Sequence, residues 1–303
     1  MSIPKIPNYA LPKNADFPEN KTDWQIDPNR AVLLVHDMQQ YFVNFYQTDT
    51  SPISDVIKNI QALKKEAKNN GVPVVYTAQP ADQNPKDRAL LTDFWGTGLD
   101  DTYTQIIEDL APQEDDIQYT KWRYSAFKRT PLLDYMREND KDQLIICGIY
   151  GHIGILATSL DAFMLDVKPF VIADAFADFT LEDHKFTLKY VSGRCGNIKP
   201  LELALDELKI KKNAKRAHKL TFDSIKQDIA DILLISIDEV EEDENLTYLG
   251  LDSIRAMSLL EKWRREGCNI TFNELVQTVT LNEWWKTIAA DLNRAPVVED
   301  ALA

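Results

Sequence analysis

Four continuous apolar runs, separated by helix-patterned stretches, constrain this chain more than any other feature. Ala31-Val-Leu-Leu-Val-His36 is the first, Val72-Pro-Val-Val-Tyr-Thr77 the second, Asp142-Gln-Leu-Ile-Ile-Cys-Gly148 the third and Pro169-Phe-Val-Ile-Ala-Asp174 the fourth. A strand with one wet face alternates apolar and polar side chains, whereas an unbroken run marks a strand buried on both faces. Between the first two runs Val56, Ile57, Ile60, Leu63 and Ala67 follow a helical period that Gly71 ends. After the third come Ile155, Leu156, Leu160, Phe163 and Met164. Strands alternating with helices predict an α/β unit, a parallel sheet with helices on both faces. Residues 1–29 are polar and proline-containing and are expected to wrap the surface.

The pattern breaks at Lys209–Lys219, a basic stretch nearly free of large apolar side chains, which reads as an interdomain linker. Beyond it Ile225, Ile229, Ile232 and Leu233 begin a small helical unit, and Trp284, Trp285 and Ile288 fit its closing helix. The expected organisation is a large unit at 1–208, a linker at 209–220, a small all-α unit of four helices at 221–293 and a tail at 294–303. A chain of 303 residues is long enough for such a pair.

Composition excludes several classes. No apolar run approaches the roughly 20 residues a membrane span needs, and the N-terminus lacks an export signal. Cys147, Cys195 and Cys268 are too few and too scattered for a disulfide scaffold or a zinc site, which fits a reducing cytoplasm. A net charge of −14 argues against nucleic acid as a partner. Much of that charge sits in Phe222–Leu292, where 15 acidic residues face 6 basic ones. Such a surface suits docking on basic partners, or is simply solvated.

Leu249-Gly-Leu-Asp-Ser-Ile-Arg255 places a serine at the mouth of an expected helix. Ile254, Met257, Leu260 and Trp263, with Leu259, are read as its buried stripe. Asp252 and Ser253 are N-cap types, and a helix N-terminus suits a phosphodiester. Asp-Ser alone reads as a cap. With Gly250-Leu251 before it and the acidic Asp238–Glu244 upstream, the segment resembles the attachment motif of acyl, aryl and peptidyl carrier domains. That resemblance implies a covalent 4′-phosphopantetheine on Ser253, and it places Met257 and Phe272 at positions that face partner enzymes. Core packing is the other reading of both.

In open α/β sheets ligands gather at the carboxyl ends of the strands. Those ends here offer His36-Asp37-Met38-Gln39, Thr77-Ala78-Gln79 and Gly148-Ile-Tyr-Gly-His-Ile-Gly154, and Lys121 follows a short possible strand. A carboxylate and an ammonium converging at one sheet edge could bind and protonate an anionic substrate. Residue types alone leave an unspecified α/β enzyme. The segments Ala31–Phe42, Val74–Pro80, Thr120–Phe127 and Gly148–Met164 resemble, in order, those of the isochorismatase family within the cysteine-hydrolase superfamily. Amidases of that superfamily use an aspartate, a lysine and a cysteine; here the position of the cysteine is Gly154. Cys147 reads as a buried apolar filler, so acyl-enzyme chemistry is not expected.

The resemblance implies hydrolysis of the vinyl ether of isochorismate to 2,3-dihydro-2,3-dihydroxybenzoate and pyruvate. That reaction needs a general acid, and Asp37 is the candidate, since a carboxyl buried near other anions can retain a proton. Lys121 and Arg88 are candidate partners for the substrate carboxylates. Gln79, Tyr150 and the backbone near Gly154 are expected to line the pocket, with Phe42 and Trp95 as apolar walls. Gly154 is expected to leave room for the substrate ring. His36, on the opposite face of the strand from Asp37, reads as a packing residue.

An isochorismatase domain followed by an aryl carrier resembles the bifunctional proteins of aryl-capped siderophore pathways. This implies a phosphopantetheinyl transferase, an aryl-adenylating enzyme (a 2,3-dihydroxybenzoate-AMP ligase) and the condensation domain of a nonribosomal peptide synthetase as partners. It also implies self-association through the isochorismatase domain. Two alternatives compete: a carrier or scaffold with a catalytically inactive hydrolase-like domain, and an amidase using Cys147 or Cys195.

Overall fold

The computed structural model describes residues 3–209 and 220–292, and the chain divides into two compact units, Met1–Asn213 and Ala214–Ala303. The expected linker 209–220 lies almost wholly outside the described residues, as does the expected tail 294–303.

The first unit is built on six parallel strands, β1 (Ala31–His36), β2 (Val74–Ala78), β3 (Ile117–Thr120), β4 (Gln143–Gly148), β5 (Lys168–Phe176) and β6 (Asn197–Lys199). Their order is β3-β2-β1-β4-β5-β6. The four apolar runs are β1, β2, β4 and β5. β3 lies at one edge of the sheet with alternating half-buried and exposed residues, and the three-residue β6 is too short for a periodic signal. The helices are α1 (Gln40–Val43), α2 (Ile53–Asn69), α3 (Pro85–Arg88), α4 (Leu91–Trp95), α5 (Leu132–Glu138), α6 (Leu156–Met164), α7 (Leu181–Arg194) and α8 (Leu201–Lys209).

Both faces of the sheet are covered, as unbroken apolar strands require. Ala31, Leu33 and Val35 of β1 pack with Ile53, Val56, Ile60 and Leu63 of α2 and Ala204 and Leu208 of α8. Val32 and Leu34 point the other way, into a second core with Leu132 and Met136 of α5, Ala162 of α6, and Leu188 and Val191 of α7. Residues 3–29 wrap the surface as expected, but they also drive Ile3, Ile6 and Ile26 into the first core.

The strand order reverses between β1 and β4, where loops part and leave a crevice at the carboxyl ends. β1 delivers Asp37 there and β2 delivers Gln79. β3 delivers Lys121, whose N–H is held by the Ala78 carbonyl at 2.8 Å. β4 ends at Gly148, with φ +115°, and a Cβ there would lie 2.2 Å from the His36 carbonyl oxygen. A wide π-type turn, Gly151–Ile155, follows and runs into α6.

The second unit has four helices, α9 (Phe222–Leu233), α10 (Ser253–Arg265), α11 (Phe272–Val276) and α12 (Leu281–Leu292). Trp263 and Trp284 meet edge to face at 5.7 Å in its core. The indole N–H of Trp263 donates to Asp228 Oδ2 at 2.9 Å, tying α10 to α9. The stripe read on α10 needs correction. Leu251, Ala256, Leu259, Leu260 and Trp263 are buried, whereas Ile254 is 81% exposed and Met257 46%. At about 100° per residue, four positions spaced by three drift through about 180°, so Ile254 and Trp263 fall on opposite sides of the helix. Phe272 is half-buried and packs against the core of this unit.

Candidate active site and attachment site

Asp37, Gln79, Arg88, Lys121, Phe42, Trp95, Tyr150 and Gly154 all border one cavity at the crevice. Sequence reasoning therefore brings together eight side chains or backbone positions from six segments. Ser253, Met257 and Phe272 belong to the second unit.

The polar centre is a buried pair. Lys121 Nζ donates to Asp37 Oδ2 at 2.6 Å, with both side chains under 10% exposed. Asp37 Oδ1 accepts from Thr77 Oγ1 at 2.8 Å, and the Asp37 N–H donates to that same hydroxyl at 3.3 Å. Thr77 and Asp37 are neighbours because His36 and Thr77 are in register across β1 and β2. Asp37 itself has φ +52°, uncommon for a non-glycine residue.

Arg88 contributes a second cation. It is 4% exposed, its Nε donates to the Gly96 carbonyl, and its Nη1 is buried without a hydrogen-bond partner. A Cβ on Gly98 would lie 2.7 Å from that Nη1, so only glycine leaves the guanidinium where it is. Burial pulls the guanidinium down from its ordinary value. A buried donor without an acceptor is costly and invites an anion.

Tyr150 offers its ring, because its hydroxyl donates to the Phe42 carbonyl at 2.9 Å. Burial pushes that phenol up, which keeps it a donor. Phe179 packs edge-on against Tyr150 at 4.7 Å and against Trp95 at 6.3 Å, closing an aromatic wall. Trp95 Nε1 donates to Tyr124 Oη at 2.8 Å. Phe179, Tyr124, Tyr41, Leu91, Leu99, Ile153 and Ile3 also line the cavity and lay outside the sequence reading. Apart from Tyr124, in the segment after Lys121, and Ile153, in the motif that ends β4, no strand-end rule points to them.

Two buried residues position the site without lining it. Thr77 anchors Asp37. Gln39 bridges the backbones of two residues: its Oε1 accepts from Gln79 N at 2.7 Å, and its Nε2 donates to the Gln79 carbonyl at 2.9 Å and the Thr104 carbonyl at 2.6 Å. Both stood in the strand-end motifs, where a buried polar residue needs its partners.

Gly154 serves a neighbour that the sequence did not reveal. A Cβ there would lie 2.1 Å from Cε1 of His36, so the glycine accommodates the imidazole as well as bordering the cavity. His36 is fully buried. Its Nδ1 lies 2.8 Å from the Ile149 carbonyl and its Nε2 3.3 Å from the Tyr124 carbonyl. Burial outweighs the nearby Asp37 and lowers the His36 imidazole to about 4, so it is a neutral packing residue.

Cys147 and Cys195 do not border the cavity. Cys147 sits on the α2 face of the sheet with its thiol against the Leu34 carbonyl, and burial pushes it up. Burial also pushes Cys195 up to about 11. Neither is an available thiolate.

In the second unit Ser253 opens α10 and is exposed. Asp252 caps that helix, its Oδ1 accepting from Arg255 N at 2.8 Å. The Arg255 guanidinium turns back to the Gly250 carbonyl at 2.6 Å, fixing the turn before the serine. Around Ser253, Tyr248, Ile254 and Met257 are exposed. An accessible hydroxyl at a capped helix start fits a phosphodiester-linked arm.

Comparison with known proteins agrees with this division. Residues 31–202 match the isochorismatase domain family, and residues 223–288 match the phosphopantetheine attachment site. An isochorismatase of Bacillus subtilis (strain 168) is 48% identical over 298 residues, 95% of this chain and 96% of that protein. Enterobactin synthase component B of Escherichia coli (strain K12) is 42% identical over 297 residues, 96% of this chain and all of that protein. The structure of a cysteine hydrolase from Pseudomonas syringae pv. phaseolicola superposes with a TM-score of 0.57 at 24% identity, over 63% of this chain and 97% of that one. It shares the fold.

Proposed function

The chain belongs to the isochorismatase family, and on that premise we propose a bifunctional siderophore-pathway protein, an isochorismatase at residues 1–208 joined to an aryl carrier at residues 221–293. The observation that carries the enzymatic half is the Asp37 carboxyl. Thr77 and Lys121 hold it inside a cavity that contains no thiol and one unpartnered guanidinium nitrogen.

Isochorismate carries two carboxylates and a vinyl ether. Arg88 Nη1 and Lys121 Nζ suit the carboxylates. When the substrate carboxylates draw on Lys121 Nζ, Asp37 Oδ2 is freed to hold a proton, which it delivers to the terminal methylene carbon. The C=C electron pair forms the new C–H bond and leaves an oxocarbenium carbon. Water adds to that carbon and returns one proton to Asp37, giving a hemiketal. The hemiketal then breaks its bond to the ring oxygen as its own hydroxyl becomes the ketone of pyruvate, and that hydroxyl's proton passes to the ring oxygen, so that pyruvate and 2,3-dihydro-2,3-dihydroxybenzoate leave. The carboxylate left by the first step is the natural counter-charge for the cation. The aromatic wall of Phe42, Trp95, Tyr150 and Phe179 limits bulk water.

The second unit carries a covalent 4′-phosphopantetheine, which we assign to Ser253. The arm supplies a thiol on which 2,3-dihydroxybenzoate is held as a thioester. The capped start of α10 and the exposed Ile254 and Met257 support docking by a phosphopantetheinyl transferase, an aryl-adenylating enzyme and a condensation domain. Phe272, half-buried, is the least accessible of the proposed contacts. Self-association through the first unit belongs to the same reading and is measurable by sedimentation. No helix among the described residues is long and apolar enough to cross a membrane, and the proposed compartment is the cytoplasm.

The scaffold alternative, with an inactive first domain, is not favoured, since acid, lysine and arginine stand together at one cavity. The test is pyruvate release from isochorismate by the wild type and Asp37→Ala, with Ser253 charging followed by intact mass. The reading expects Asp37→Ala to lose about 10²-fold or more with charging intact. Undiminished turnover would remove Asp37 as the acid. Charging that survives Ser253→Ala would remove the assignment of the arm.

A further inference from the structure

One wall of the cavity comes from a segment that carries no motif. Ile3, Ile6 and Tyr9 turn inward at every third position, while Pro4, Lys5, Pro7 and Asn8 between them are exposed. The two prolines lack N–H groups and fix their own φ, which stiffens the segment. Ile3 is 8% exposed and lines the cavity. The Ile6 N–H donates to the Phe45 carbonyl at 2.9 Å, and Asn8 Nδ2 donates to Gln47 Oε1 at 3.0 Å, so the segment is tied to the chain beyond Phe42.

Tyr9 makes the deeper connection. Its hydroxyl accepts the N–H of Asp178 at 2.8 Å and lies 3.1 Å from His184 Nδ1. His184 Nε2 lies 2.9 Å from the Ala173 carbonyl, which can only accept. The proton therefore sits on Nε2, and Nδ1 accepts a hydrogen bond from the Tyr9 hydroxyl. Burial pushes the Tyr9 phenol up and lowers His184 to about 4, so both keep these roles over the working pH range. The Asp178 side chain in turn accepts the His152 N–H at 2.6 Å and pairs with the His152 ring. His152 belongs to the turn that carries Ile153 and Gly154 to the cavity, and Phe179 follows Asp178 directly.

We propose that Ile3–Tyr9 is a strap across the active-site cavity, with Ile3 a specificity-determining wall residue and Tyr9 the positioning residue that joins the strap to the Gly151–Ile155 turn. This rests on the isochorismatase reading for its substrate. Ile3 contributes apolar surface to the cavity that Arg88 and Lys121 also line, so its loss weakens uniform binding and leaves the proton transfer at Asp37 in place.

The experiment is steady-state pyruvate release by the full chain and by Ile3→Ala, Ile3→Leu, Tyr9→Phe and the Ile3→Ala/Tyr9→Phe double variant. Hydrogen exchange of the Ile6 amide is followed in parallel. KM should rise about tenfold in Ile3→Ala with kcat little changed, and Ile3→Leu should restore it. Tyr9→Phe should raise KM in the same direction and speed exchange at Ile6. The double variant should be no worse than the worse single one, because both act through one strap. Wild-type KM in both single variants, multiplicative effects in the double variant, or unchanged exchange at Ile6 in Tyr9→Phe would each overturn the strap. If the wild type releases no pyruvate, the isochorismatase reading fails instead, and exchange at Ile6 still decides whether Tyr9 anchors the segment.

Discussion

Gly154 and His36 occupy one space: a Cβ on Gly154 would lie 2.1 Å from the imidazole Cε1. The space that a side chain at position 154 would need is filled by a neighbour's ring. His36 cannot retreat easily, because it is fully buried and its Nδ1 lies 2.8 Å from the Ile149 carbonyl.

Gly154→Ala should therefore destabilise the first unit by about 1–3 kcal/mol, the usual range for overpacking a core. Gly154→Cys should cost at least as much and produce no amidase activity. Urea denaturation followed by tryptophan fluorescence measures the first effect. A Gly154→Ala protein as stable as the wild type would show that His36 shifts without cost.

Much of the first unit was legible because its strands are buried on both faces, which leaves β1, β2, β4 and β5 as unbroken apolar runs. β6 escaped because three residues carry no period. The polar part of the cavity was legible for a related reason. Asp37 and Gln79 directly follow strands, and strand ends in a parallel sheet point to the same crevice. The aromatic wall was legible in part: Phe42, Trp95 and Tyr150 were expected at the cavity and border it, whereas Phe179 arrives from a connection whose course depends on tertiary packing. α10 misled through its spacing, where every third residue from Ile254 is apolar but only the later ones face the core. Gly154 was found at the right place, but its packing against His36 was not foreseen, because nothing in one sequence says which side chain a missing Cβ makes room for.

Thr77→Val should lower kcat with little change in KM. The hydroxyl donates to Asp37 Oδ1 at 2.8 Å and accepts the Asp37 N–H, so it fixes the carboxyl without lining the cavity. A hydrogen bond to a charged group is worth about 1.5–3 kcal/mol, which corresponds to tenfold or more in rate. A change confined to KM would instead make Thr77 part of substrate binding.

Histidine titrations should separate by environment. Burial lowers His36 and His184 to about 4. For His152 burial opposes the charge, but the Asp178 carboxylate outweighs it and raises the imidazole above its ordinary value. Between about 4 and 6.5 the unfolded chain binds protons at His36 and His184 that the folded chain does not. Stability therefore falls as pH drops through that window, by up to roughly 3 kcal/mol for each. His152 has the opposite sign: its contribution is complete below its unfolded value and is lost as pH rises through its folded one. Proton NMR of the imidazoles checks all three, and a midpoint near 6.5 for His36 would contradict its burial.

Ile254 and Leu260 lie on the same helix and should respond in opposite ways. Leu260 is fully buried against Trp263 and the rest of the second core, whereas Ile254 is 81% exposed, next to Ser253. Leu260→Ala should cost about 2–5 kcal/mol and lower the melting temperature of this unit. Ile254→Lys should change stability by no more than about 0.5 kcal/mol, as for most surface substitutions. If the exposed apolar residues beside Ser253 form the docking face, the same Ile254→Lys should slow transfer of the aryl group to or from partner enzymes. It would do so mainly by placing charge where a partner must shed water. Circular dichroism melts of the two variants, with charging of Ser253 followed by intact mass, separate the possibilities. A large loss of stability in Ile254→Lys would return that residue to the core. Unaltered stability with unaltered transfer would move the docking face to Tyr248 and Met257, which are 81% and 46% exposed.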